Sequence, residues 1–306
     1  LILKPSSATG KESKRPVSNG RFGFYLALPS ILILLVLLAI PAVLTIFQSF
    51  FIVPADGVGI GEFTRVDNYI FLFKNEIFWA TSLRSIWFAL IFIIGSTVIG
   101  LAAALLLNEK FVGRMVLRGL LVLPWACPWL IVGIIWKWFA DGNIGLLNGV
   151  LIRLNLISEY KDFLSDPSWA IWMTAIAATW RQSCLVALLL LAGLQTMPRE
   201  IWDAATVDGA GIFQRFRHIT LPWLRPALTV VTVLNVIYGL MQFDVIFAMT
   251  QGGPGSSTTL LSFLIYRQFF IFTNFGIGSA LAVALALIAL VGGLIAVKTL
   301  YRKIEV

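Results

Sequence analysis

Three polar side chains interrupt an otherwise apolar stretch at a telling spacing. Asn235, Tyr238 and Gln242 recur at i, i+3 and i+7, which on one helix puts an amide, a phenol and a second amide on the same face. Asn and Gln carry both donors and acceptors, and a Tyr ring packs on the C–H face of a sugar, so the trio suits a polyhydroxylated ligand. Gln182 and Ser183 offer similar groups from a second apolar stretch. The competing reading is that these groups join helices to one another, as polar residues do in membrane bundles. Arg181 and Asp244 are costlier, because an unpaired charge at membrane depth is unfavourable by about 3 kcal/mol on insertion scales. They read first as a gate or an ion pair with each other, and second as contacts to an anionic solute. Trp125 and Trp129 either stack on a ligand or fill the core, whereas Trp136 and Trp138 flank Lys137 as an interface belt does.

Other chemistry has no footing. His218 is the sole histidine and stands beside Arg217 in a charged segment, so it reads as a solvated or partner-facing group. Cys127 and Cys184 both lie in apolar stretches, which fits core thiols and excludes a disulfide framework or a metal cluster. No Walker A sequence occurs, so this chain cannot cradle ATP phosphates by that route. Gly57, Gly59 and Gly61 are loosely spaced but lack a strand or helix to frame a phosphate loop.

The elements that hold these residues are membrane helices. Of 306 residues, 59% are hydrophobic and only 12% charged, against about a quarter in soluble domains. The mean hydropathy of +0.90 agrees. Long intervals free of charge, each able to supply the roughly 20 apolar residues that a span needs, predict helices over 24–50, 84–108, 115–139, 223–249 and 276–300. A sixth, 169–196, carries Arg181 near its middle. The fold class expected is therefore an all-α polytopic membrane protein with six transmembrane helices.

The net charge of +8 reports topology rather than nucleic-acid binding. Fifteen of the 23 Lys and Arg residues, against six of the 15 acids, fall in the N-terminal segment, after the second and fourth helices and at the C-terminus. That side is cytoplasmic by the positive-inside rule, and both termini lie there. Residues 1–23 read as a cytoplasmic tail, 24–301 as the transmembrane domain with a loop at 198–222, and 302–306 as a cytoplasmic end. The first apolar run is too long for a signal peptide and has no small-residue cleavage site, so it is a retained helix.

The loop after the fourth helix reads as helix, turn, helix. Pro198 suits a helix start, Glu200 and Asp203 place negative charge in the first turns, and Gly209 can end the helix at positive φ. A second short helix follows through Phe213 and Phe216. Ala204 and Ala205 keep one surface shallow, as a docking knob requires; an amphipathic loop lying on lipid headgroups has the same features.

Asp203-Ala204-Ala205, then Gly209, Ile219 and Leu221-Pro222 at fixed spacing, resemble the EAA loop of permease subunits of binding-protein-dependent ABC importers. The block Phe243-Asp244 to Thr250, with Gly252-Gly253-Pro254, followed by Thr258 and Tyr266, is similar to the end of the fifth core helix in the carbohydrate-uptake branch, and Leu191 to Gln195 fits as well. Asp203 departs from the usual Glu, and Cys184-Leu185 stands where relatives often carry Pro and an aromatic residue.

The resemblance implies a type I ABC importer permease fold in a bacterial or archaeal cytoplasmic membrane. It implies a second homologous permease, two ATPase subunits that hold ATP and magnesium, an extracytoplasmic solute-binding protein and a carbohydrate solute. It gives ATPase coupling to Glu200, Asp203, Ala204, Ala205, Asp208, Gly209, Ile219, Leu221 and Pro222, and no cofactor or catalytic role to this chain. A carrier or channel driven by an ion gradient is the rival class, but it leaves the five-element loop unexplained.

Overall fold

The computed structural model describes residues 20–53 and 61–300, with side chains from residue 24 onward. The expected tail up to residue 19, the glycines Gly57 and Gly59, and the end from 301 to 306 lie outside the described residues. The chain forms two compact units, Leu1–Leu44 and Thr45–Val306. Most of α1 (Phe24–Gln48) belongs to the first, and it is apolar around its whole circumference, as a membrane-spanning helix is.

In the second unit a short antiparallel ladder, β1 (Phe51–Ile52) and β2 (Glu62–Phe63), pairs Phe51 with Phe63. It is followed by α2 (Asp67–Lys74), α3 (Glu76–Asn108), α4 (Arg114–Ala126), α5 (Trp129–Phe139) and α6 (Leu146–Arg153). Then come α7 (Pro167–Gln195), α8 (Arg199–Val207), α9 (Ile212–Leu240), α10 (Asp244–Met249), α11 (Leu261–Ile271) and α12 (Phe275–Leu300). Among the described residues five helices are long and apolar enough to cross a membrane, and α4 with α5 forms a sixth span if taken together.

The expected spans hold in number and shift at three places, each for a physical reason. The second begins at Glu76 rather than 84, because Arg84 does not end it: its Nη1 donates to the carbonyl of Thr259 at 3.0 Å, so the charge sits within the helix. The third is not continuous over 115–139. It breaks at Cys127-Pro128, and α4 and α5 meet at 99°. Pro124 and Pro128 stand four residues apart, each without an N–H, and Pro128 caps the start of α5.

The fifth span differs most. Rather than running 223–249, α9 starts at Ile212 and passes without a break through Pro222 and Pro226 to Leu240. A wider turn of π type over Phe216–Thr220 lies just before Pro222 and makes room for its ring. The helix then ends at Leu240, and α10 begins only at Asp244.

The centre of the bundle is the seam between α3 and α7. Ser96, Gly100 and Ala104 repeat every four residues on α3, all buried, and such small-residue rows let two membrane helices approach closely. A Cβ on Gly100 would come within 2.5 Å of Val186 Cγ1 and 2.9 Å of the Ser183 carbonyl, so only glycine fits there. Above this seam Phe88, Phe92, Ala175, Ala178, Ile246 and Phe263 form a dry cluster that ties α10 and α11 to the two long helices.

Candidate functional site: a membrane cavity and an exposed helical turn

Breaking the third span has a consequence for the fourth. At the break, the Cys127 carbonyl falls outside the regular helix ladders, and such a group needs a donor. Arg181 supplies it: Nε donates to the Cys127 oxygen at 2.8 Å, and the guanidinium carbon lies 4.0 Å from the ring centre of Trp129. The costly charge on α7 is thus used to hold α4 and α5 at their angle.

Around this junction opens a cavity of about 440 Å³ lined by Trp125, Ala126, Trp129, Arg181, Gln182, Leu185 and Tyr238. Trp129 and Tyr238 face one another with ring centres 6.5 Å apart. The lining is an aromatic wall, one cation, one amide and one phenol, a set suited to hold a small polar solute against rings.

The five residues expected to touch solute are not brought together. Gln182 and Tyr238 line the cavity, and Tyr238 is 40% exposed. Asn235 is 0% exposed and sits behind Gln182: it accepts from Gln182 Nε2 at 2.7 Å and donates from Nδ2 to Ser96 Oγ at 2.9 Å. Ser96 Oγ donates in turn to the Phe92 carbonyl. Asn235 therefore joins α7, α9 and α3. Ser183 is buried, with its hydroxyl given to the Trp180 carbonyl at 2.8 Å. Gln242 is buried too, and it has left the expected face because α9 ends two residues before it.

Nor do Arg181 and Asp244 form an ion pair. Among the described residues the ion pair is Lys161 with Asp166, at 3.7 Å. Asp244 instead occupies the first turn of α10, where the helix N-terminus favours a carboxylate. Trp125, Trp129 and Arg181, for which a ligand role is only the second reading of the sequence, complete the cavity wall. The signal was present in Pro124 and Pro128, which flank Trp125 and immediately precede Trp129.

The relay through Asn235 makes a prediction. Asn235→Ala removes three hydrogen bonds between helices, to Gln182, Ser96 and Thr97, each worth about 0.6 kcal/mol on average in a membrane bundle, so stability is expected to fall by about 2 kcal/mol. A double-mutant cycle with Gln182→Ala, read by unfolding of the purified protein, should show coupling between the two sites; strict additivity would remove the relay.

The second site is α8 with the first turns of α9. The helix α8 ends in a Schellman turn: Asp208 is the C-cap, Gly209 has φ +75°, Ala210 N–H reaches the Ala205 carbonyl at 2.9 Å and Gly209 N–H the Thr206 carbonyl at 3.1 Å. Gln214 Oε1 accepts from the Gly211 N–H at 3.0 Å and caps α9. Arg215 then clamps the two helices, stacking 5.0 Å over Trp202 and donating to Thr206 Oγ1 at 2.9 Å. Glu200, Asp203, Ala204 and Asp208 are exposed, and Ile219, Leu221 and Pro222 are half-buried.

Ala205 is only 8% exposed and faces inward, which corrects its expected place on a docking surface. The apolar groups that do project are Val207, Ile212 and Phe213, at 87%, 80% and 72% exposure, gathered about the Gly209 turn.

A broken third span, long helices bearing few charges and an exposed two-helix turn define a polytopic α-helical membrane protein. Residues 96–304 match the family of binding-protein-dependent transport system inner membrane components, and the chain belongs to it. Over 84% of its length it is 37% identical to the sulfoquinovosyl glycerol transport system permease protein of Agrobacterium fabrum, of which 83% is covered. It is also 34% identical to the trehalose/maltose transport system permease protein of Thermococcus litoralis, over 89% of this chain and 90% of that one. The fold matches, with a TM-score of 0.77 and 23% identity, a chain of a bacterial ABC transporter involved in the import of the acidic polysaccharide alginate, covering 91% of this chain and 94% of that one. The type I ABC importer permease fold expected from the sequence is therefore the fold of this chain.

Proposed function

We propose that this chain is the permease subunit of an ABC importer for a carbohydrate and forms half of the translocation pathway. A second, homologous permease supplies the other half. Two ATPase subunits, which hold ATP and magnesium, dock from the cytoplasm, and an extracytoplasmic binding protein delivers the solute to a bacterial or archaeal inner membrane. Both termini lie on the ATPase side.

The observation that carries this reading is the continuity of α9, on which Phe213 at the exposed turn and Tyr238 at the cavity share one uninterrupted helix. A helix of 29 residues is about 43 Å long, so movement of the turn is delivered to the cavity wall without an intervening hinge. ATP-driven closure of the ATPases then moves the turn and re-aims the cavity, which is alternating access between two states. The relatives named as sugar transport permeases support carbohydrate as the cargo.

The test is reconstitution. The complex purified through this chain should bring ATPase subunits with it, and sugar uptake into liposomes should require ATP and loaded binding protein. Uptake by this chain alone on an ion gradient would sink the reading. Phe213→Asp puts a charge at the centre of the apolar turn, and it is expected to lower ATPase co-purification by about tenfold, the equivalent of 1.4 kcal/mol.

A further inference from the structure

The cavity wall carries one charge and no counter-charge. Arg181 is the single ionisable side chain other than Tyr238 among its lining residues. Its Nε is committed to the Cys127 carbonyl, and the guanidinium carbon is held 4.0 Å from the centre of the Trp129 ring. The terminal nitrogens Nη1 and Nη2 make no hydrogen bond or ion pair among the described residues, and neither is buried away from the cavity. A guanidinium held in this way with its outer edge free presents two parallel N–H donors, the geometry that takes a carboxylate, sulfonate or phosphate in bidentate fashion.

A second group points the same way. Gln182, buried on the same wall, gives its Nε2 to Asn235, while its Oε1 has no partner. Because Asn235 pins the amide, Oε1 is left a buried acceptor without a donor at the cavity wall, which a hydroxyl would satisfy and an anionic group would not. The site thus asks for a solute with hydroxyl donors at one end and negative charge at the other. A neutral carbohydrate satisfies Gln182 and the rings of Trp125, Trp129 and Tyr238 but leaves the Arg181 edge without its best partner.

We propose that the cavity selects carbohydrates bearing an anionic group, which binds the free edge of Arg181 while sugar hydroxyls meet Gln182 and the ring packs on the aromatic wall. This rests on the carbohydrate-permease reading above and narrows it to a substrate class. A charge-assisted pair worth about 1.5 kcal/mol or more predicts at least a tenfold preference for the acid over its neutral counterpart.

The experiment uses the assembled transporter in nanodiscs without binding protein, so that the cavity alone is read, by tryptophan fluorescence titration. D-glucuronate and D-glucose 6-phosphate are compared with D-glucose. Both acids should bind about tenfold tighter than glucose, the two arms showing whether carboxylate and phosphate are taken alike. Arg181→Gln should bring the ratio to about one, and Arg181→Lys, which keeps a charge without the fork, should retain part of it. Equal binding of glucuronate and glucose by the wild type overturns the proposal. If Tyr238→Ala then loosens both, the carbohydrate reading still stands; if no sugar binds at any concentration, both fall. Should Arg181→Gln fail to assemble, the wild-type ratio alone decides.

Discussion

Replacing Gly209 by valine is expected to reduce ATP-driven uptake about tenfold or more while the protein still inserts in the membrane. Gly209 is the αL residue of the turn that joins α8 to α9, at φ +75°, with no neighbouring atom within 4 Å of where a Cβ would stand. The loss therefore comes from the backbone and not from a clash. A β-branched residue disfavours that conformation by about 1–2 kcal/mol, enough to open the Schellman turn and release Arg215 from Trp202. The readings are ATP hydrolysis stimulated by loaded binding protein and uptake by the same preparation. Hydrolysis and uptake at wild-type levels in Gly209→Val would show that this turn does not couple the two machines. Ala205→Asp is a poor probe of docking, because it places a carboxylate in the small buried core of the turn and tests folding instead.

The second large effect is expected at Arg181. Arg181→Ala removes a charge-assisted hydrogen bond to the Cys127 carbonyl and a cation held over Trp129, together about 3 kcal/mol. It also leaves a carbonyl without a donor at a helix break, so α4 and α5 lose their angle. Were Arg181 stabilised chiefly by Asp244, removing both charges would restore much of the loss. The structure predicts the reverse: Asp244→Ala does not rescue Arg181→Ala, and the two changes add within about 0.5 kcal/mol. Recovery of stability in the double variant, measured by thermal unfolding in detergent, would reinstate the pair.

Legibility in the sequence followed the range of the interactions. The segment around Gly209 is made of contacts within a few residues, and its helix start and its Gly209 turn were readable from spacing, whereas the second helix, expected to be short and separate, is the start of α9. The number of spans was readable because bilayer thickness sets a length that charge-free intervals reveal. What failed was long-range. Arg84 looked like a boundary because its acceptor, Thr259, lies far along the chain. Asn235 looked like a ligand because Ser96, which it bonds, is on another helix.

Two errors had local signals that were passed over. Pro124 and Pro128 announce the break in the third span, and Gln242 with Asp244 just beyond Leu240 mark where α9 stops. Which face of a short helix turns inward is set by its neighbours, so Ala204 and Ala205 were indistinguishable until α8 was seen against the bundle.

The wide turn over Phe216–Thr220 sets the rotational phase of everything after it. Each residue of an α-helix advances about 100° and 1.5 Å, so one residue more or less between Ile212 and Tyr238 would swing the phenol from the cavity toward lipid or toward α3. Substitutions along this stretch are judged one side chain at a time, but a single-residue insertion or deletion re-times the whole helix. The distance between the exposed Gly209 turn and the cavity is consequently a counted quantity, and its tolerance for length change is far smaller than its tolerance for sequence change.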